Sequence, residues 1–147
     1  GPEGTGRHEA VTRLLAQAGL PAPGLAICDG SGTLLLRRAV DGFPFPRFGG
    51  GCPLWPLYQA LQRPAHPIRQ PLVTAGRLGR RFLAYAMGAS AVPPDFSLPA
   101  CVQATMLIMP DPAPALPDAP LAVGATCRTC AQMDCPARRE PSILSMG

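Results

Sequence analysis

The chain has 147 residues, and its 13 basic and 9 acidic side chains give a formal net charge of +4. This length and a hydrophobic content of 47% suit one domain with a buried core. The 20 prolines and 16 glycines predict many loops, yet they fall short of the level of a disordered chain. Every basic residue is Arg and none lies in a long basic run, which disfavours DNA binding by this chain alone.

Membrane insertion and secretion are also disfavoured by the sequence. No apolar run approaches the roughly 18 residues of a membrane-spanning helix, and the N-terminus lacks the pattern of a signal peptide. We therefore expect a cytoplasmic protein without a membrane partner.

Composition divides the chain into four segments. Residues 1–6 resemble a protease-cleavage remnant with a linker, and residues 7–109 are predicted to form the main α+β domain. Residues 110–120 are rich in proline and predict an extended strap. We expect residues 121–147 to form a cysteine-rich tail packed on the same domain.

The first predicted elements are a helix and a β-hairpin. Residues 8–18 carry apolar side chains at helical spacing, and Gly19 follows as a stop signal. Two short apolar runs, residues 25–28 and 33–37, flank the turn cluster Asp-Gly-Ser-Gly at residues 29–32. The helical positions are Val11, Leu14, Leu15 and Ala18.

A second helix and three further strands follow. Residues 52–63 place apolar side chains at helical spacing and predict a short helix that ends before Pro64. Apolar runs at residues 68–75, 81–88 and 101–109 have strand length, and Pro71 places the first of them nearer a sheet edge. The order of elements favours an α+β fold of the GAF or PAS kind, with about five antiparallel strands and flanking helices on one face.

The cysteines carry the strongest chemical signal in the sequence. Cys127, Cys130 and Cys135 have the close spacing with which one turn grips a tetrahedral ion, so we predict a structural zinc site in the tail. Zinc requires a fourth ligand, and Cys52 is the choice because a Gly-rich loop and a helix start would favour its thiolate. The alternatives are Cys28 and Cys101, which fit strand interiors better, and His66 or His8.

Other roles for the cysteines remain open. Six cysteines would permit disulfides, but nothing in the sequence indicates an oxidising compartment. A redox role for the Cys127–Cys130 pair is weaker, because the strand-to-helix setting of such sites is absent. No nucleophile, base and orienting group can be assembled, so we do not expect an enzyme.

Two segments resemble a known family. Phe45–Trp55 is similar to an aromatic-Arg-Phe-Gly-x-x-Cys-Pro-x-Trp element, and Cys127–Arg138 to a Cys-Arg-x-Cys…Cys-x-x-Arg tail. Both are typical of the C-terminal domain of short-chain fatty acyl-CoA regulators, which are bacterial transcription factors. Tyr58 stands where that pattern has a His. The resemblance implies the effector-sensing part of a longer regulator, whose other domains contact DNA.

The resemblance also implies a short-chain acyl-CoA as effector, and a homodimer is left open. Such a ligand requires an apolar slot for the acyl group and arginines for the phosphates. The candidate slot residues are Phe43, Phe45, Phe48 and Trp55, and the candidate phosphate ligands are Arg47, Arg80 and Arg81. The competing interpretation places these rings in the core and these arginines in solvent. A zinc-stabilised protein-interaction module without a small-molecule ligand is the alternative function.

Overall fold

A computed structural model describes most of the chain, namely residues 9–10, 13–14, 16–19, 22–75, 79–90, 95–97, 101–110 and 120–145. In the N-terminal segment, residues 9–10, 13–14 and 16–17 are helical, whereas Val11 and Leu15 lie outside the described residues. His8, residues 1–6 and most of the predicted strap, residues 111–119, also lie outside them.

The hairpin predicted after this segment is present. Strands β1 (Gly24–Cys28) and β2 (Leu34–Arg38) pair antiparallel across the turn at residues 29–33. The Asp29 carboxylate accepts hydrogen bonds from Ser31 N at 2.9 Å and from Thr33 N at 3.2 Å, which closes the turn. The Ser31 hydroxyl donates a further bond of 2.6 Å to the same carboxylate. This hydroxyl bond and the backbone N–H bonds hold the pKa of Asp29 below its usual value.

The remaining strands complete one mixed sheet. They are β3 (Ile68–Thr74), β4 (Arg81–Ser90), β5 (Val102–Pro110) and β6 (Leu121–Val123). The strand order is β2-β1-β5-β4-β3-β6, and all neighbours are antiparallel except β3 and β6. The sheet therefore has six strands rather than the five expected, because three residues of the tail pair with β3.

A helix within the predicted helical segment 52–63 packs on the sheet. It is α1 (Pro56–Gln62), which has Pro at its first position, where the missing N–H costs nothing. Leu57 and Ala60 are fully buried against the alternating inward positions of β4 and β5. A Cβ on Gly88 would lie 2.4 Å from the Ala60 carbonyl oxygen, so a glycine is required for this close approach.

The α+β class is confirmed by this arrangement. Alternate residues of β4 and β5 are buried, as expected for strands with one face on a core. Among the described residues, no helix is long and apolar enough to cross a membrane. The inward positions of the two strands are Phe82, Ala84, Ala86, Ala104, Met106 and Ile108.

Candidate functional site

The loop between β2 and α1 has a buried half and an exposed half. Phe43 and Trp55 are buried, and their ring centroids lie 5.7 Å apart. Phe43 also packs edge to face against Phe82, with ring centroids 5.2 Å apart. Phe43 and Trp55, both predicted ligand residues, therefore belong to the core. Phe45 is half-buried with its centroid 5.7 Å from Trp55, and Phe48 is 85% exposed.

Trp55 connects this loop to the tail. Its buried indole Nε1 donates a hydrogen bond of 2.8 Å to the Gly124 carbonyl oxygen, directly after β6. A Cβ on Gly51 would lie only 2.2 Å from the Trp55 ring, so no larger residue fits at that position. Arg139 adds a second link, because its Nη2 donates to the Gly51 carbonyl oxygen at 2.7 Å.

Tyr58, the departure from the family pattern, fastens the same loop from the helix side. Its hydroxyl donates to the Gly32 carbonyl oxygen at 2.9 Å and accepts from Gly51 N at 2.7 Å. The ring stacks on Trp55 with a centroid distance of 6.2 Å and an interplanar angle of 11°. Burial raises the pKa of the Tyr58 hydroxyl, which keeps it a neutral donor.

The four predicted metal ligands lie together. Cys52, Cys127, Cys130 and Cys135 line one cavity of about 10 Å³, enough for one water-sized particle. Among the described residues, no three His, Cys, Asp or Glu side chains are positioned as a ready-made ligand set. The alternative ligands lie elsewhere: Cys28 in β1, Cys101 exposed before β5, and His66 exposed after α1; His8 lies outside the described residues.

Backbone N–H groups face the sulfurs of this cavity. Arg139 N donates to Cys127 Sγ at 3.4 Å. Burial raises the pKa of Cys52, while hydrogen bonds from the backbone of Gly124 and Leu54 act in the opposite direction. N–H donors of this kind orient and tune thiolate ligands where a metal is bound. The four thiols that line the cavity are therefore the donor type that zinc prefers, although no three of them are positioned as a ligand set among the described residues.

Arg138 holds the cysteine segment in shape. Its guanidinium donates to the carbonyl oxygens of Cys127 at 2.8 Å and Cys130 at 3.2 Å, and also to that of Gln132. A further bond of 3.1 Å reaches the Glu140 carbonyl oxygen. A single planar fork thus fixes both ends of the Cys127–Cys130 turn, which a Lys side chain could not do.

A larger cleft opens beside this cavity, between the exposed loop and the tail. Its volume is about 710 Å³, within the usual range for small-molecule sites. Three arginines line it: Arg47 from the loop, and Arg128 and Arg139 from the tail. The rings of Phe45 and Phe48 and the carboxylate of Glu140 also line the cleft.

Besides the buried Phe43 and Trp55, two of the three predicted phosphate ligands do not line this cleft. Arg80 is exposed and forms an ion pair of 3.5 Å with Asp41, and Arg81 is the first residue of β4. Arg128 and Arg139 were not among the predicted ligands. The signal for them was their place in the cysteine motif or directly after it, because a segment that positions thiols also positions the arginines beside them.

The cleft and the cysteine cavity share a wall. Thr126 lines both, and its Oγ1 accepts a hydrogen bond of 3.1 Å from Arg128 N at the start of the Cys127–Thr129 3₁₀ turn. The position of Arg128 is therefore fixed by the same turn that presents Cys127 and Cys130. The fold and the site together define an α+β domain with an arginine-lined cleft beside a four-cysteine cavity.

Residues 15–146 match the family described as the C-terminal domain of short-chain fatty acyl coenzyme A regulators, and the chain belongs to that family. It is 30% identical to the propionyl-CoA carboxylase regulator of Cereibacter sphaeroides, over 78% of this chain and 26% of that protein. Identity to the HTH-type transcriptional regulator PrpR of Mycobacterium tuberculosis is 27%, with 78% and 26% covered. The chain thus spans about a quarter of the length of these curated relatives.

A solved structure confirms the fold. The chain is similar to a Mycobacterium tuberculosis transcriptional regulator with a TM-score of 0.68 and 24% sequence identity. The similarity covers 82% of this chain and 40% of that one.

Proposed function

We propose that this chain is the effector-sensing domain of a bacterial transcriptional regulator, and that a short-chain acyl-CoA binds in the cleft between the loop and the tail. The observation that carries the proposal is the convergence of Arg47, Arg128 and Arg139 on one cleft. The name of the family mentions short-chain fatty acyl-CoA, and one relative is named as a regulator of propionyl-CoA carboxylase, which supports the same class of ligand.

The chemistry of coenzyme A matches the lining of the cleft. Its phosphates are anions, for which guanidinium groups provide paired and charge-assisted hydrogen bonds. The exposed Phe48 ring offers a surface on which the adenine can stack. Glu140 lines the same cleft and disfavours negative charge beside it, so Arg47 and Arg128, which are distant from it in sequence, are the first phosphate ligands to test.

Binding there would join two parts of the chain. Arg47 belongs to the loop, whereas Arg128 and Arg139 belong to the tail, so a bound anion favours the arrangement in which the two are close. This preference would be transmitted to the rest of a cytoplasmic regulator as a change in domain or dimer equilibrium, and from there to DNA binding by other domains. The GAF- or PAS-like assignment of the sensor fold stays a prediction.

We also propose that the four cysteines hold one structural zinc ion. When bound, the ion would link Cys52 of the loop to the three cysteines of the tail, in addition to the Trp55–Gly124 and Arg139–Gly51 hydrogen bonds. Four thiolates leave no open position on the ion, so its role would be structural.

Isothermal titration with propionyl-CoA tests the sensing role. Arg128→Ala should weaken binding by about tenfold or more, because a charge-assisted hydrogen bond contributes about 1.5–3 kcal/mol. Arg63→Ala is the matched control, since Arg63 is exposed at the end of α1 and does not line the cleft. Equal affinities of both variants would contradict the proposed site.

Metal analysis of the purified protein tests the zinc proposal. One zinc ion per chain is expected, with loss of the metal in Cys52→Ser and in Cys127→Ser. Cys101→Ser is the control, because Cys101 is exposed and does not line the cavity. Zinc retained by both cavity variants, or iron with acid-labile sulfide in place of zinc, would refute the proposal. Zinc without any acyl-CoA binding would instead favour the interaction module.

A further inference from the structure

A second cavity also borders the exposed loop. Its volume is about 410 Å³, and it is lined by the outer strand β2 and by the loop tip. Arg47 and Phe48 line both this cavity and the arginine-lined cleft, so the loop tip is a wall that the two cavities share. The strand residues of the second cavity are Leu34, Leu35, Leu36 and Arg37.

The wall formed by β2 is the edge of the sheet. β2 ends the strand order and pairs with β1 on one side. Half of the backbone amide groups of an edge strand point away from the sheet and can pair with an extended chain. The Leu34 end of this edge is closed by a bond of 3.0 Å from Leu34 N to the Gly49 carbonyl oxygen. Beyond it, Leu35 is 51% exposed.

Acyl-CoA has two chemically different halves. One half is a nucleotide with phosphates, and the other is the extended pantetheine arm, which carries two amide groups and ends in the thioester. The first cavity supplies three arginines, and the second supplies an edge strand and leucine side chains. Each cavity therefore suits one half of the ligand, and their junction at Arg47 and Phe48 would let one molecule occupy both.

Building on the proposed function, we infer that β2 binds the pantetheine arm and that Leu35 contacts the acyl group. The nucleotide lies in the arginine-lined cleft, the arm crosses the loop tip, and its amides pair with the open edge of β2. The apolar surface of Leu35 then favours a short acyl chain over free coenzyme A. Leu35 is thus a specificity residue, whereas Arg128 and Arg139 recognise the part that all acyl-CoAs share.

The test measures the binding of three ligands to two variants, each of which replaces an exposed apolar side chain with Ser. Leu35→Ser should weaken propionyl-CoA binding by about tenfold, since apolar contacts with an acyl group are of this size. The affinity of this variant for adenosine 3′,5′-bisphosphate, which lacks the pantetheine arm, should be unchanged. Its affinity for free coenzyme A should be nearly unchanged, because free coenzyme A lacks the acyl group. Met133→Ser is the matched control, because Met133 is 47% exposed and lines neither cavity.

Amide hydrogen exchange gives a second readout that needs no substitution. Propionyl-CoA should slow exchange in residues 34–38, whereas adenosine 3′,5′-bisphosphate should leave these amides unaffected. Propionyl-CoA binding with unchanged affinity in Leu35→Ser and unprotected β2 amides would overturn this inference while leaving the proposed function intact. Failure of the unaltered protein to bind any acyl-CoA would overturn both.

Discussion

The sheet and the cysteine-rich tail are held together by different forces. In the sheet, inward residues such as Phe82 and Ile108 are 1% and 0% exposed, so apolar burial stabilises it. In the tail, Cys130 and Cys135 are only half-buried, and the shape depends on the hydrogen bonds of Arg138 and Arg139. The stability of the sheet therefore depends mainly on apolar packing, whereas the conformation of the tail depends on polar contacts and on its thiols.

The largest expected effect comes from Trp55, where the two regions join. Trp55→Ala removes a fully buried ring that contacts Phe43, Phe45 and Tyr58, together with the hydrogen bond to Gly124. We expect the free energy of unfolding to fall by about 3–5 kcal/mol, as measured by urea denaturation.

Trp55→Phe is the matched control, because it keeps an apolar ring and removes the indole N–H. A loss of about 1–3 kcal/mol is expected, since the Gly124 carbonyl loses its partner. If the two variants were equally destabilised, the hydrogen bond to the tail, rather than ring packing, would be the main contribution of Trp55.

Arg138 tests the polar side of the comparison. Arg138→Lys keeps the charge but removes the planar fork that reaches the Cys127 and Cys130 carbonyl oxygens. We expect a loss of about 1–3 kcal/mol, seen as faster amide exchange in residues 127–139 with β4 and β5 unchanged. Equal acceleration in the sheet would show that the two regions unfold as one unit.

The sequence predicted the sheet better than the site. Apolar runs located β1 to β5 because burial of alternate side chains leaves a periodic pattern, whereas β6 has only three residues and follows a proline-rich segment. Cysteine spacing grouped Cys127, Cys130 and Cys135, the Gly-rich loop before α1 singled out Cys52, and all four line one cavity. Arg128 and Arg139 were missed because the contacts of an arginine with a cleft follow no sequence period.

Cys28 gives a pH-dependent test of the frame, with a smaller effect. Burial raises the pKa of this thiol from 9.0 to about 11, so above pH 9 the folded state binds more protons than the unfolded state. The free energy of unfolding should therefore fall between pH 9 and 11, and Cys28→Ala should flatten that decline by at most about 2.7 kcal/mol. Parallel pH profiles of the two proteins would contradict this burial effect.

Native mass spectrometry measures metal binding and acyl-CoA binding by this domain in one experiment. We expect the purified protein to carry the mass of one zinc ion per chain, and added propionyl-CoA to increase that mass by one ligand. A metal-free protein that gains no ligand mass would refute both proposals.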